Sequence, residues 1–272
     1  MNASDFCDFH MPALANDEAR HSVLISIVSQ AASWRGQSDQ PVQTWTLGGP
    51  GSCAAQTPGR SIVLGDLTRI QCRTLAEAVA TTDFPGVMGA GRTATWFVAR
   101  AEELGVSFKD PMPQRIYVLN AAPKHPDVPG RARPIASDDA ALYAEWMAAF
   151  HREATPEDPA PTQEALRNWA GEDGQLFWQV DGEPVSIALI LRPSPNCAAI
   201  GAVYTPPSLR NRGYAGAVTA AAVDRIHADG KKTACLYTDL RNAAANRCYT
   251  RIGFEPWCES WSFTRAPAKT EA

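Results

Sequence analysis

The sequence contains no C-x-x-C pair. Its seven cysteines (Cys7, Cys53, Cys72, Cys197, Cys235, Cys248 and Cys258) are scattered and odd in number. That pattern argues against a disulfide framework or a structural zinc site and leaves reduced thiols, as in a cytoplasmic protein. The five histidines show no metal-ligand spacing either, so no metal is expected. There is no excess of positive charge: 25 Lys and Arg stand against 29 Asp and Glu, a net charge of -4. A general nucleic-acid binder would carry a basic footprint, so no nucleic-acid partner is expected. The N-terminal region holds Asp5, Asp8, Asp17 and Glu18 and no positive leader, and its most apolar stretch, Val23 to Val28, is too short for a signal core. No other stretch approaches the length of a membrane span, so the sequence predicts a cytoplasmic protein with no membrane partner.

What remains is an ordinary globular composition, 45% hydrophobic and 20% charged over 272 residues, enough for one large or two modest domains. The first half alternates helix and strand patterns, which predicts an α/β or layered α+β fold. Residues 12–32 read as one amphipathic helix, with Leu14, Val23, Leu24, Ile27 and Val28 on its apolar side. Strands are predicted around Trp45 and Leu47, at 61–64, at 86–89 and at 115–119, and helices at 75–80 and 93–104. Gly48-Gly49-Pro50-Gly51 has no lysine after it and reads as a hairpin turn. Gly89-Ala90-Gly91-Arg92 reads as the start of a helix.

Three prolines and a glycine mark 121–130 as a stiff connector. The expected organisation is therefore an N-terminal α/β domain at 1–122, a linker at 123–132, a second domain at 133–265 and a tail at 266–272. The second domain opens with a strand at 133–136, followed by two helices. A hairpin comes next, two strands about Asp181-Gly182.

The most informative stretch runs from Ile200 to Phe254. A β-rich run ends at Pro206-Pro207, since proline lacks the N–H a strand needs. The turn Arg210-Asn211-Arg212-Gly213-Tyr214-Ala215 then opens directly into an Ala/Val helix. Unpaired N–H groups at a helix N-terminus suit an anion, and Gly213 and Ala215 let one approach closely. No Gly-Lys-Ser/Thr follows and the three-glycine spacing is absent, so the turn is neither a nucleotide P-loop nor a dinucleotide fingerprint. A second strand, 233–239, leads to a helix on which Asn242, Asn246, Tyr249 and Gly253 share one face. Two carboxamides and a phenol on one stripe suit a ligand with amide groups and a step that needs a proton.

Val203-Tyr204-Thr205-Pro206-Pro207, the R-x-x-G-x-A turn, Leu236-Tyr237-Thr238-Asp239, and Asn242, Asn246, Tyr249 and Gly253-Phe254 together resemble the GNAT superfamily of acyl-CoA-dependent N-acyltransferases. The resemblance covers roughly the C-terminal half, with two spaced motifs in the family's order. It implies a mixed central sheet flanked by helices, preceded by a smaller or degenerate GNAT-like domain. It also implies a donor, acetyl-CoA, with CoA as product. The donor would be held by the main chain of Ala202, Val203 and Tyr204, by Arg210 to Ala215, and by Thr238, Asn242 and Asn246. Tyr249 would protonate the departing thiolate while a primary amine of a small molecule or peptide attacks directly, in a monomer or homodimer. Several relatives carry a glutamate on the strand before the turn. Here 196–204 holds no carboxylate. The base would then come from Glu145, His151 or a water relay. A non-catalytic acyl-CoA-binding or regulatory module is the alternative.

Overall fold

A computed structural model describes residues 2–33 and 42–267. The chain divides into two compact units: Met1–Ile116 with Asp239–Arg241 and Trp257–Ala272, and Tyr117–Thr238 with Asn242–Pro256. The stretch read as a linker, 123–132, lies within the second unit, and the closing strand enters the first unit from Trp257 onward. Of the expected tail, 268–272 lies outside the described residues. Ala266 donates its N–H to the Ser107 carbonyl at 2.8 Å.

The first unit is a strand layer with helices on both faces. Its strands are β1 (Gln43–Thr46), β2 (Cys53–Gln56), β3 (Ile62–Leu64), β4 (Gly86–Ala90) and β11 (Glu255–Thr264), in that order across the layer. The β1–β2 hairpin closes at the Gly-Pro-Gly turn, whereas β3 and β4 are parallel and joined through α3 (Arg69–Val79). Alternate residues of a strand face opposite sides, so Cys53 and Ala55 meet α1 (Ala3–Leu14) and α2 (Ser22–Ser33) through Phe6, Leu14, Leu24 and Val28. Ala54, Ile62 and Leu64 instead meet Leu75 of α3 and Phe97 of α4 (Thr93–Glu103). The single helix expected over 12–32 is thus two helices. Asp17 is the physical reason: its carboxylate accepts the Arg20 N–H at 3.1 Å, a local bond that competes with the helix ladder.

The chain passes from the first unit to the second along β5 (Met112–Leu119), the strand expected at 115–119. In the second unit, β6 (Arg131–Pro134), β7 (Gln175–Val180), β8 (Glu183–Leu191) and β9 (Cys197–Tyr204) run antiparallel in sequence order. Asp181 and Gly182, with φ of 52° and 90°, make the β7–β8 turn that the Asp-Gly pair predicts. The chain then crosses through α7 (Tyr214–Ala228) to place β10 (Thr233–Asp239) parallel to β9. Helices α5 (Ala140–Ala154) and α6 (Gln163–Trp169) cover one face, packing Tyr143, Trp146 and Leu166 on Phe177 and Ile187. Helices α7 and α8 (Ala243–Ile252) cover the other, where Val218, Ala222 and Ile226 meet Ala198, Ile200 and Leu236. Among the described residues no helix is long and apolar enough to cross a membrane.

Candidate functional site

The site begins with an irregularity in β9. Leu189 pairs with Gly201, but Ile187 pairs with Tyr204, so three steps along β9 oppose two along β8. One extra residue makes a bulge, and Ala202 takes it up in a left-handed conformation with φ of 49°. Buried Ser186 closes the disturbed end, donating to the Tyr204 carbonyl at 3.0 Å and bonding the Thr205 hydroxyl at 2.8 Å. On its other edge β9 pairs with β10 only from Cys197↔Thr233 to Ile200↔Leu236. Beyond Ile200 and Leu236 the two strands share no ladder, and main-chain groups of 201–204 on that side face a space a ligand can fill.

Pro206 and Pro207 end the strand in a single 3-10 turn, Pro207–Leu209. Arg210 then turns back, giving its Nε to the Thr205 carbonyl at 2.9 Å and its terminal nitrogen to both Glu153 oxygens at 2.9 and 2.7 Å. Asn211 and Gly213 hold φ of 63° and 84°. Helix α7 starts at Tyr214 with Gly213 as its cap residue and no side-chain cap. The N–H groups of its first turn are therefore left for an anion. Glycine is required at 213, where a β-carbon would stand 2.8 Å from Val128 Cγ1 on a backbone with φ of 84°, whereas one on Gly216 would be a tight 3.1 Å from Pro126 Cγ.

The asparagines of α8 serve the helix itself. Asn242 caps it, accepting the Ala245 N–H at 3.0 Å, and Asn246 donates to the Asn242 carbonyl at 2.7 Å. The Tyr117 hydroxyl donates to the Asn246 amide oxygen at 3.1 Å. Tyr249, one turn on, packs edge-to-face on Phe254 with ring centroids 6.1 Å apart, and its hydroxyl has no hydrogen-bond partner among the described residues. Burial, with a smaller contribution from Cys248, pushes the phenol pKa above its ordinary value, so the hydroxyl keeps its proton across the neutral range.

These elements enclose a cavity of about 620 Å³. Of the predicted residues, Val203, Arg210, Asn211, Gly213, Tyr214, Ala215, Asn242 and Tyr249 line it, whereas Ala202, Tyr204, Arg212, Thr238 and Asn246 do not. Tyr204 packs against Trp146 on the α5 face with centroids 6.2 Å apart, and Arg212 bonds the Ser208 carbonyl at 3.4 Å. Sequence reasoning missed Lys124, His125, Arg247 and Arg251, all on the wall. The only advance signal was the four-residue spacing of Arg247 and Arg251, which puts both on one side of a helix. Among the described residues no aspartate or glutamate lines the cavity. Neither base candidate lines it: Glu145 is exposed, and the His151 ring is bound to the Asp158 carbonyl at 3.0 Å.

Comparison with known proteins agrees with this geometry. The Acetyltransferase (GNAT) family profile matches residues 140–254. Over 145 residues the chain is 32% identical to mycothiol acetyltransferase of Sanguibacter keddieii, covering 49% of this chain and 45% of that protein. The chain thus spans about half the length of the curated relatives it matches. A GCN5-related N-acetyltransferase structure from Kribbella flavida superposes with a TM-score of 0.61 at 17% identity, covering 92% of this chain and 95% of that one. A tandem GNAT protein from the clavulanic acid biosynthesis pathway superposes at 0.53 with 13% identity, over 91% and 88% of the two chains. These likenesses extend the fold across both halves.

Proposed function

With residues 140–254 forming a GNAT acetyltransferase domain, we propose that this chain moves an acetyl group from acetyl-CoA to a primary amine of a small molecule. The observation that carries the reading is the convergence, on one basic cavity, of the bulged and unpaired end of β9, the uncapped start of α7 and the free hydroxyl of Tyr249.

The residues present fit the donor. The first turn of α7 offers main-chain N–H groups to a pyrophosphate, and Gly213 and Gly216 let Pro126 and Val128 pack closely against that turn. The unpaired edge of Gly201 to Tyr204 offers amide groups to the pantetheine arm and to the oxyanion that develops on the carbonyl. Bound acetyl-CoA supplies the thioester. The amine forms a C–N bond to its carbonyl carbon, the C–S bond breaks, and Tyr249 gives its proton to the leaving sulfur. With no carboxylate on the wall among the described residues, water takes the proton lost by the amine. Arg210, engaged by Glu153 and Thr205, shapes the turn, and Asn242 and Asn246 hold α8 so that Tyr249 faces the cavity.

The first half is read as a degenerate GNAT-like domain, a reading supported by the tandem neighbour. The absence of a wall carboxylate favours one second reading, an acyl-CoA-binding module without acceptor chemistry. Calorimetry with acetyl-CoA, CoA and ATP tests the donor. Saturable binding of acetyl-CoA that ATP cannot mimic is expected, and no binding overturns the proposal. Thiol release with a panel of amines, led by mycothiol-type acceptors, separates the two readings: release supports transfer, and binding without release on every amine supports the module.

A further inference from the structure

The cavity carries more positive charge than a pyrophosphate requires. Lys124, Arg247 and Arg251 line it, and none forms an ion pair or side-chain hydrogen bond among the described residues. Arg210, the fourth cation on the wall, is neutralised by Glu153. His125 is paired with Asp224 at 3.0 Å. Arg247 and Arg251 lie one turn apart on α8, where like charges repel. The macrodipole accounts for Arg251, which is in the last turn, but not for Arg247. Lys124 is fixed beside them, its N–H bonded to the Ile252 carbonyl at 2.7 Å. All three residues are exposed to solvent, so an anion can reach their side chains without displacing a protein partner.

Charge counting identifies the anion. A pyrophosphate diester carries about two negative charges, and the start of α7 offers roughly half a positive charge with aimed N–H groups. A phosphate monoester adds about 1.5 to 2 more negative charges near neutral pH. Three free cations match the sum of the two and exceed the first alone. Resting on the acetyl-CoA reading, we propose that Lys124, Arg247 and Arg251 form a subsite for the ribose 3′-phosphate of the donor. The enzyme then discriminates acetyl-CoA from acetyl-3′-dephospho-CoA, which differs only in that group.

Titration of the full chain with both ligands tests this. The wild type should bind the dephospho ligand roughly tenfold or more weakly, the loss expected for charge-assisted hydrogen bonds to a phosphate. The exposed double substitution Arg247→Ala, Arg251→Ala should weaken acetyl-CoA by a similar factor and leave the dephospho affinity unchanged. Equal, saturable affinity of the wild type for both ligands would overturn the subsite and leave the donor reading standing. A double variant that loses both ligands equally would also overturn it, assigning these arginines to another part of the donor. Binding of neither ligand by the wild type overturns the subsite and the donor reading together.

Discussion

Two side chains illustrate what a single residue contributes to this molecule. Tyr249 presents a protonated phenol to the cavity with no hydrogen-bond partner among the described residues, and the proposed reaction makes it the proton donor to the leaving thiolate. Tyr249→Phe removes that proton and little volume. Turnover should fall on the order of 100-fold while acetyl-CoA affinity stays within about twofold, since general acid catalysis is worth 10²–10⁴. Unchanged turnover in stopped-flow or thiol-release assays would remove the tyrosine from the reaction. His10, in the first unit, is fully buried. Its Nδ1 accepts the Gly51 N–H at 3.1 Å, so its Nε2 carries the proton toward the Thr46 hydroxyl at 3.0 Å. Burial lowers its pKa, so the folded state holds it neutral while an unfolded histidine takes up a proton below about 6.5. Its effect on stability therefore turns unfavourable as pH falls through that range. Denaturant titrations of wild type and His10→Gln at pH 7.5 and 5.5 should show the wild type losing more stability than the variant, and equal losses would contradict this.

At the scale of elements, what the sequence made legible is what local chemistry decides. The Asp-Gly turn, the proline stop after β9, the glycine before α7 and the alternation of strand and helix are all written in adjacent residues. Strand β2, Cys53-Ala54-Ala55-Gln56, was missed because its small side chains carry no β-branched or aromatic signal; layers on both faces make it a strand. The bulge at Ala202 was equally silent, being a matter of register between β8 and β9. Lys124 was read as part of a linker, and only packing brings it beside Arg251. Gly213 tests the legible part. Gly213→Ala forces a left-handed φ of 84° on a residue with a β-carbon 2.8 Å from Val128. A loss of about 1–2 kcal/mol in stability is expected, with weaker acetyl-CoA binding, because the start of α7 must shift. Unaltered melting and affinity would mean that the turn does not need its glycine.

At the scale of the whole molecule, the two units present different chemistry to solvent conditions. In the first, Asp66 accepts hydrogen bonds from His21 at 3.1 Å and Arg20 at 3.0 Å, and these hold its pKa down at about 2. A depressed carboxylate contributes stability above its unfolded pKa near 4 and loses it as pH falls toward 2. Asp66 is 58% exposed, so screening limits the effect to about 1 kcal/mol or less. In the second unit, three stretches distant in the chain (124–126, 203–216 and 242–252) enclose one cavity. A ligand that touches all three binds only when they are assembled, so it must stabilise the fold by mass action, about 2.7 kcal/mol at a hundred times its Kd. For a chain of this size that corresponds to a rise in Tm of roughly 5–10 °C, increasing with the logarithm of ligand concentration. Scanning calorimetry should show this rise with acetyl-CoA and none with ATP at equal concentration. Because the free cations sit on the same wall, added salt should shrink the rise by screening them, whereas a cavity that held its ligand by apolar contact would show no such loss.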